Sequence, residues 1–132
     1  MKIKILILIF VLAFTIIGCT PQPVSIENVY VCESLEGEGA LDRDPEPFPA
    51  GIDNIYLSVE VSNISTEDEL EVIWTFLDTG NIIDQQLSVV EQDGSGYLNF
   101  NIYISEGFPS GNYRADVYLN GELVEELDFS VQ

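Results

Sequence analysis

The sequence contains no histidine, and only four of its 132 residues are lysine or arginine, against 23 acidic residues. Without histidine, a serine or cysteine nucleophile lacks its commonest general base, and a zinc site of the usual kind lacks ligands. The net charge of −19 repels phosphate groups and therefore argues against a nucleic-acid partner. Because basic residues are so few, the positions of the two lysines at the N-terminus are considered first.

Two of the four bases, Lys2 and Lys4, precede an apolar run from Ile5 to Ile17 that is interrupted only by Thr15. The run has the length of a signal-peptide core and is shorter than the ~20 residues of a membrane-spanning helix. It ends at Gly18-Cys19, and Thr20-Pro21-Gln22-Pro23 follows. Two prolines cannot continue a helix, which argues against the alternative, an uncleaved signal anchor.

The segment Ile16-Ile17-Gly18-Cys19 resembles the lipobox of prokaryotic lipoproteins. The resemblance implies cleavage between Gly18 and Cys19 and a lipid on the Cys19 thiol, which would anchor the chain on the extracytoplasmic face of a membrane. In a host with two membranes, Thr20 after the cysteine favours the outer one. With Cys19 used for lipid, Cys32 is not expected to form an internal disulfide.

We therefore predict a signal-peptide helix over residues 1–18, a lipidated tether over 19–25 and one domain over 26–132. The leader contains two bases and no acid, so its removal changes the net charge from −19 to −21. Residues 33–51 are rich in Glu, Asp, Gly and Pro and are predicted to form a long acidic loop.

Period-two alternation of apolar and polar residues dominates the chain after Ile52 and predicts strands. An edge strand is predicted near 82–90, and Asn120-Gly121 is a strong signal for a type I′ hairpin. The predicted fold is all-β, an antiparallel sandwich of about seven strands. The predicted inward-facing residues of the four clearest strands are Ile55, Leu57, Val59 and Val61; Leu70, Val72, Trp74 and Phe76; Leu98, Phe100, Ile102 and Ile104; and Tyr113, Ala115, Val117 and Leu119.

Several of these features resemble the immunoglobulin-like group of domains. Trp74 lies on the candidate third strand, and Tyr113 begins the penultimate strand, where a tyrosine corner is expected. The resemblance covers roughly residues 48–131 and implies a fold, but no catalytic residues. The cysteine pair of antibody domains is missing, so the core must depend on apolar packing.

The acidic side chains suggest calcium as the one candidate cofactor. The candidate ligands are Asp42, Asp44 and Glu46 in the acidic loop, Glu67, Asp68 and Glu69 before the Trp74 strand, and Asp93 in Gln92-Asp93-Gly94-Ser95-Gly96. The last segment resembles the start of an EF-hand loop, but the closing position, residue 104, is Ile. A looser calcium site is the alternative to acids that simply occupy solvated turns.

Two further sites are predicted on the surface. Asn63-Ile64-Ser65 matches the glycosylation acceptor pattern. Tyr97, Tyr103 and Tyr118 are predicted to face away from the core, and with Asn99 and Asn101 they could form a face that binds a surface glycan or protein. The alternative is ordinary cross-strand packing on a solvated face.

The sequence thus predicts a membrane-anchored, non-enzymatic binding or envelope-assembly module. One alternative is a carboxylate-based hydrolase of surface polysaccharide, which needs two acids opposed across a groove. Another is a calcium-stabilised adhesion domain.

Overall fold

The computed structural model of the chain describes residues 22–36, 39–40 and 47–132. The predicted leader, Gly18, Cys19 and the candidate ligands Asp42, Asp44 and Glu46 lie outside the described residues. Within the described ranges the chain is all-β, and no helix there is long and apolar enough to span a membrane. The strands are β1 (Ser25–Cys32), β2 (Leu35–Glu36), β3 (Gly39–Ala40), β4 (Asn54–Ile64), β5 (Leu70–Phe76), β6 (Asn81–Ser88), β7 (Gly94–Tyr103), β8 (Gly111–Leu119) and β9 (Glu122–Val131).

The seven longer strands form two antiparallel sheets, which confirms the predicted sandwich. One sheet has the order β1-β4-β7, and the other has the order β6-β5-β8-β9. The predicted edge strand near 82–90 is confirmed as β6, and β5 lies inside the sheet between β6 and β8. In a constant-type immunoglobulin domain the fourth strand joins the first sheet. Here the fourth long strand, β6, pairs with β5 in the second sheet.

The core lies between the two sheets and is built by the predicted alternation. Ile55, Leu57, Val59 and Val61 of β4 are each at most 2 % exposed, and they face the equally buried apolar residues of β5 and β8. Burial of each such side chain stabilises the fold by about 1.5–3 kcal/mol. A slip of one residue in register would turn this whole row to solvent, so the alternation fixes the register.

Aromatic rings pack together in the core toward the end of the sandwich at which β5 stops. Tyr113 stacks on Phe76, with ring centroids 4.8 Å apart, and on Phe129, at 5.3 Å. Phe48 and Trp74 then meet Phe129 edge-on, at 5.7 and 6.2 Å. Offset stacks and edge contacts are the favourable arrangements for aromatic pairs. In antibody domains an inter-sheet disulfide forms part of the core, and here the aromatic cluster packs the core without one.

The tyrosine corner is confirmed: the Tyr113 hydroxyl donates a hydrogen bond to the Pro109 carbonyl. Burial, and secondly the charge of Asp78, raise the pKa of Tyr113 to about 12, so the hydroxyl keeps its proton. The predicted hairpin is also confirmed. Asn120 and Gly121 have φ angles of 51° and 82° and connect β8 to β9, as a type I′ turn requires.

The segment 33–51 is not loop throughout, so that prediction is wrong in part. Leu35–Glu36 and Gly39–Ala40 pair as a short antiparallel hairpin. Phe48 is 1 % exposed and forms a bridge to Val131. Its backbone nitrogen donates to the Ser130 carbonyl at 2.9 Å. Its ring packs edge-on against Phe129 in the core, and this apolar contact accounts for the burial of Phe48.

Candidate binding surface

The outer face of the three-stranded sheet is lined mainly by tyrosine and asparagine. Strand alternation turns the odd-numbered residues of β7 and the even-numbered residues of β4 away from the core. We call the following set the tyrosine–asparagine face: Asn28 and Tyr30 of β1; Asn54, Tyr56, Ser58 and Glu60 of β4; and Tyr97, Asn99, Asn101 and Tyr103 of β7.

The strand register arranges these residues in cross-strand rows. Tyr103 lies opposite Asn54, and the next row pairs Asn101 with Tyr56. Ser58 then lies between Asn99 and Tyr30, and Glu60 lies between Tyr97 and Asn28. Tyr103 is 63 % exposed and Tyr97 is 39 % exposed, so the two ends of the β7 edge present aromatic rings to solvent.

Hydrogen bonds between side chains hold part of this face in place. Asn101 donates through Nδ2 to Asn54 Oδ1 at 3.1 Å, and Asn54 donates through Nδ2 to the Tyr56 hydroxyl at 2.9 Å. Each amide nitrogen carries two N–H groups and uses one here, so each keeps a second donor for a ligand. The backbone carbonyl of Asn101 accepts a hydrogen bond from Gln86 Nε2 at 2.7 Å, which ties this edge to β6 of the other sheet.

Charge is confined to one end of the face. The rows from Tyr103 to Ser58 contain no charged residue, whereas Glu60 lies in the row of Tyr97 and accepts a hydrogen bond from Asn28 Nδ2 at 2.7 Å. Beyond it, hydrogen bonds first from Ser25 and then from Ser62 lower the pKa of Glu27, which therefore stays ionised. Among the described residues, the middle of the face carries no charged side chain, in a chain of net charge −19.

Ser58 and Cys32 are the fully buried members of this side of the sheet. Cys32 pairs with Tyr56 and so points away from the core, yet it is 0 % exposed, and β3 contacts both β1 and β4 nearby. Ser58 is also 0 % exposed, and its hydroxyl has no hydrogen-bond partner among the described residues. Neighbouring residues therefore cover the sheet at both positions, and neither side chain is exposed to a ligand.

The prediction that Tyr97, Tyr103 and Tyr118 share one face is wrong. Tyr118 lies on β8, opposite Glu71 and Leu123, on the outer face of the four-stranded sheet. Two outward faces of a sandwich point in opposite directions, so Tyr118 cannot act together with the β7 tyrosines. Sequence reasoning missed Tyr30 and Tyr56, although Tyr56 already stood at an outward position of the predicted strand.

The outer face of β8 and β9 differs in character because it is acidic. Arg114 Nε lies 2.6 Å from Asp128 Oδ1, and this pairing lowers the pKa of Asp128. Asp116 lies opposite Glu126, and its Oδ1 is buried without a hydrogen-bond partner among the described residues. Burial first, and then the charge of Glu126, raise the pKa of Asp116.

Asp93 has a structural contact at the end of the sandwich. Its Oδ1 accepts a hydrogen bond from the Thr66 backbone nitrogen at 2.8 Å, which joins the β6–β7 loop to the β4–β5 turn. Across the part of the chain that the structure describes, no three His, Cys, Asp or Glu side chains are close enough to hold a metal ion. A calcium site that uses Asp42, Asp44 and Glu46 remains a prediction.

Asn63 is exposed at this same end, just before the buried Ile64. Its φ angle is 57°, at a register shift between β4 and β7, and its backbone nitrogen donates to Ser95 Oγ at 3.0 Å. Asparagine tolerates this left-handed conformation better than most residues. Glycosylation of Asn63 remains a prediction.

A cavity of about 400 Å³ lies at the opposite end of the sandwich, and both Asp78 and Asp128 line it. Asp78 Oδ1 accepts hydrogen bonds from the backbone nitrogen and Nδ2 of Asn112, and Asp128 is bound to Arg114. A general acid needs a raised pKa, whereas the pKa of Asp128 is lowered. This pair therefore gives no support to the alternative of a hydrolase.

Comparison with protein-family models gives no match, and neither does comparison with curated proteins. Among solved structures, the chain is similar to an immunoglobulin-like protein of Pseudomonas aeruginosa, with a TM-score of 0.57 and 16 % identity over 85 % of this chain and 98 % of that one. It is also similar to the alkylpurine DNA glycosylase AlkC of Pseudomonas fluorescens bound to DNA containing an abasic-site analog. That TM-score is 0.50, with 15 % identity over 83 % of this chain and 30 % of the glycosylase chain.

These similarities and the observed topology define the class of the domain as an immunoglobulin-like β-sandwich. Similarity at this level of identity concerns the fold alone. Such folds host many unrelated activities, so function has to be argued from the surface of this chain.

Proposed function

We propose that the protein is a membrane-anchored, extracytoplasmic binding module and that the tyrosine–asparagine face is its binding surface. The observation that carries this proposal is the face itself: solvent-exposed tyrosines and hydrogen-bonded amides on a regular sheet. Tyrosine, serine and asparagine are the residues that antibody paratopes favour. Tyrosine offers a large contact area at a small cost in side-chain entropy, and amides adapt as donors or acceptors.

The position of this face on a sheet favours binding because the face is organised before the ligand arrives. β4 is paired on both sides, with β1 and with β7, so its outward side chains project from fixed backbone. The Asn101–Asn54–Tyr56 hydrogen bonds restrict three of these side chains further. Side chains that are ordered in the free protein lose less entropy on binding, which increases affinity.

The proposed location follows from the lipobox-like segment that ends at Cys19. A lipid there would hold the domain on the outer side of the cytoplasmic membrane, or at the outer membrane where the host has one. The partner would be a surface glycan or protein, and the acidic charge argues against nucleic acid. The absence of histidine, together with the confinement of both lysines to the proposed leader, supports a non-enzymatic role.

A binding experiment with matched tyrosine variants tests the proposal. The full chain, purified in nonionic detergent, is added to detergent-extracted envelopes of the organism that produces it, and the retained fraction is measured. We expect the double variant Tyr97→Ala/Tyr103→Ala to lose retention, because both exposed rings of the β7 edge are removed. Tyr118→Ala is the matched control, since its ring lies on the other sheet, and it should bind like the parent.

Equal retention of the parent and the double variant would show that the tyrosine–asparagine face is not the binding surface. Thermal unfolding midpoints of all three chains verify that the substitutions leave the fold intact. Tyr103 is 63 % exposed, so little core packing is lost on its replacement.

A further inference from the structure

The two outer faces of the sandwich differ in charge and in apolar content. On the four-stranded sheet, the acids Asp116, Glu126 and Asp128 share the outer face with the exposed aliphatic residues Ile82, Leu87 and Leu123. The tyrosine–asparagine face is therefore distinct from the general surface of this protein and is not explained by a need for solubility.

The charge distribution separates the kinds of partner that each face fits. A cationic partner is attracted to an acid-rich surface, so it would bind the outer face of β8 and β9 and not the neutral rows. Protein interfaces usually have an apolar core in which aromatic residues are joined by methionine and arginine. The exposed and half-buried side chains of the neutral rows are tyrosine rings and amides, beside the fully buried Ser58 and Cys32, which fits a polar and uncharged ligand better.

A sugar ring has this chemistry. Its C–H face is apolar and packs on an aromatic ring, and its hydroxyl groups both donate and accept hydrogen bonds. An asparagine side chain matches those hydroxyl groups because it carries a donor and an acceptor on one planar group. On β7, Asn99 and Asn101 lie between Tyr97 and Tyr103, so rings and amides follow one another along a single strand.

The dimensions fit an extended chain better than a single sugar. Tyr97 and Tyr103 are six residues apart on a regular strand, which separates them by about 20 Å at 3.4 Å per residue. That length accommodates several sugar units. The two exposed rings would hold the ends of such a segment, and the Asn101 amide would contact the part between them.

We infer that the tyrosine–asparagine face binds an uncharged glycan chain that lies along β7, an inference that rests on the proposed binding function. The ligand class follows from the neutrality of the rows between Tyr103 and Ser58, from the alternation of rings and amides, and from the length of the edge. Recognition is by stacking and hydrogen bonding, with no contribution from ion pairs.

The test uses the full chain in nonionic detergent and the detergent-extracted envelopes described above, with three treatments. We expect periodate, which cleaves the vicinal diols of sugars, to abolish retention, and protease treatment of the envelopes to leave it unchanged. Retention should also vary less than about twofold between 50 and 500 mM salt, because contacts without charge are not screened. Tyr97→Ala and Tyr103→Ala should each weaken retention about tenfold.

Asn101→Leu distinguishes glycan from protein. It keeps a side chain of similar size but removes a donor and an acceptor, so retention should fall about tenfold if sugar hydroxyls are bound. A protein that docks on the rings would tolerate or prefer leucine. Asn99 is not chosen, because Asn99 makes a further interaction of its own.

The results separate the inference from the proposed function. Retention that needs Tyr97 and Tyr103 but is lost after protease and survives periodate would mean a protein partner, which overturns the inference and leaves the binding function standing. Strong salt dependence would also overturn it, since the ligand would then be charged. If retention does not depend on the two tyrosines under any treatment, the proposed function itself is wrong.

Discussion

Tyr113 connects two parts of the fold through one side chain. Its ring stacks between Phe76 and Phe129, and its hydroxyl donates to the carbonyl of Pro109 in the connection that leads into β8. The buried position and the nearby charge of Asp78 raise its pKa to about 12, so the hydroxyl remains a donor throughout the physiological range. The hydrogen bond and the ring packing are separable by substitution.

Tyr113→Phe keeps the stack and removes the hydrogen bond. We expect the free energy of unfolding to fall by about 1 kcal/mol, the usual contribution of a partly buried hydrogen bond. Urea unfolding of residues 20–132 should show a lower midpoint with an unchanged slope. Tyr118→Phe on the same strand is the matched control and should change the midpoint little. If both variants lose the same free energy of unfolding, the hydrogen bond from Tyr113 to Pro109 does not stabilise the fold more than an ordinary surface hydroxyl does.

At the scale of elements, the β8–β9 ladder contains one unfavourable and one favourable charge pair. Asp116 lies directly opposite Glu126, and like charges in that position oppose folding. Two residues away, Asp128 is bound to Arg114. The first pairing contributes to the raised pKa of Asp116, and the second lowers the pKa of Asp128.

Asp116→Asn should therefore stabilise the protein at pH 7, by about 0.5 kcal/mol because solvent screens this surface. The ionised Asp116 costs stability above its raised folded pKa, and that cost is relieved as the pH falls towards its ordinary value of 3.8. The advantage of the variant should thus shrink between pH 7 and pH 3.8, as thermal unfolding across this range can show.

Asp128→Asn serves as the comparison of opposite sign. Its carboxylate stabilises the folded state above pH 3.8, and this contribution is lost as the pH falls through the lowered folded pKa. The variant should be less stable than the parent at pH 7 and equal to it in strong acid. A destabilised Asp116→Asn would contradict the assignment of the Asp116–Glu126 contact as repulsive.

The alternation of apolar and polar residues predicted the strands well where one face of the strand is buried and the other is exposed to solvent. β4, β7 and β8 follow their alternation closely, and Asn120-Gly121 correctly predicted a tight hairpin between β8 and β9. Alternation shows that Tyr97 and Tyr118 face outward, but it does not show on which sheet. That depends on pairing between distant strands, which a single sequence does not reveal.

The same limit explains the other discrepancies. A register shift between Ile26 and Asn28 breaks the alternation of β1, so Tyr30 could not be recognised as a neighbour of Ser58. The burial of Phe48 depends on Val131, at the far end of the chain. Composition predicted a loop around Phe48 but could not show that this one residue joins the core.

At the scale of the whole molecule, the proposed position of the domain at a membrane rests on Cys19. Cys19→Ser removes the thiol to which a lipid would be attached, so the variant should be released or left uncleaved while its β-sandwich still folds. Fractionation of producing cells, with mass spectrometry of the N-terminus, measures this. If the variant is found cleaved after Gly18 and still bound to the membrane, the anchor is not the Cys19 lipid.

The short distance between Cys19 and β1 also sets how the sandwich would stand at a membrane. β1 begins at Ser25, opposite Ser62, and six extended residues reach only about 20 Å. A lipid on Cys19 would therefore hold the end with Asn63 and Asp93 within about 20 Å of the membrane surface, and Tyr103 lies at the other end of β7. Acidic side chains at the near end would be repelled by anionic lipid.

If the sandwich stands on this end, the tyrosine–asparagine face is upright and not parallel to the membrane. A glycan chain bound along β7 would then run outward from the lipid surface, with its outer part at Tyr103 and its inner part at Tyr97. The direction of the strand would thus set the direction of the polymer at the cell surface.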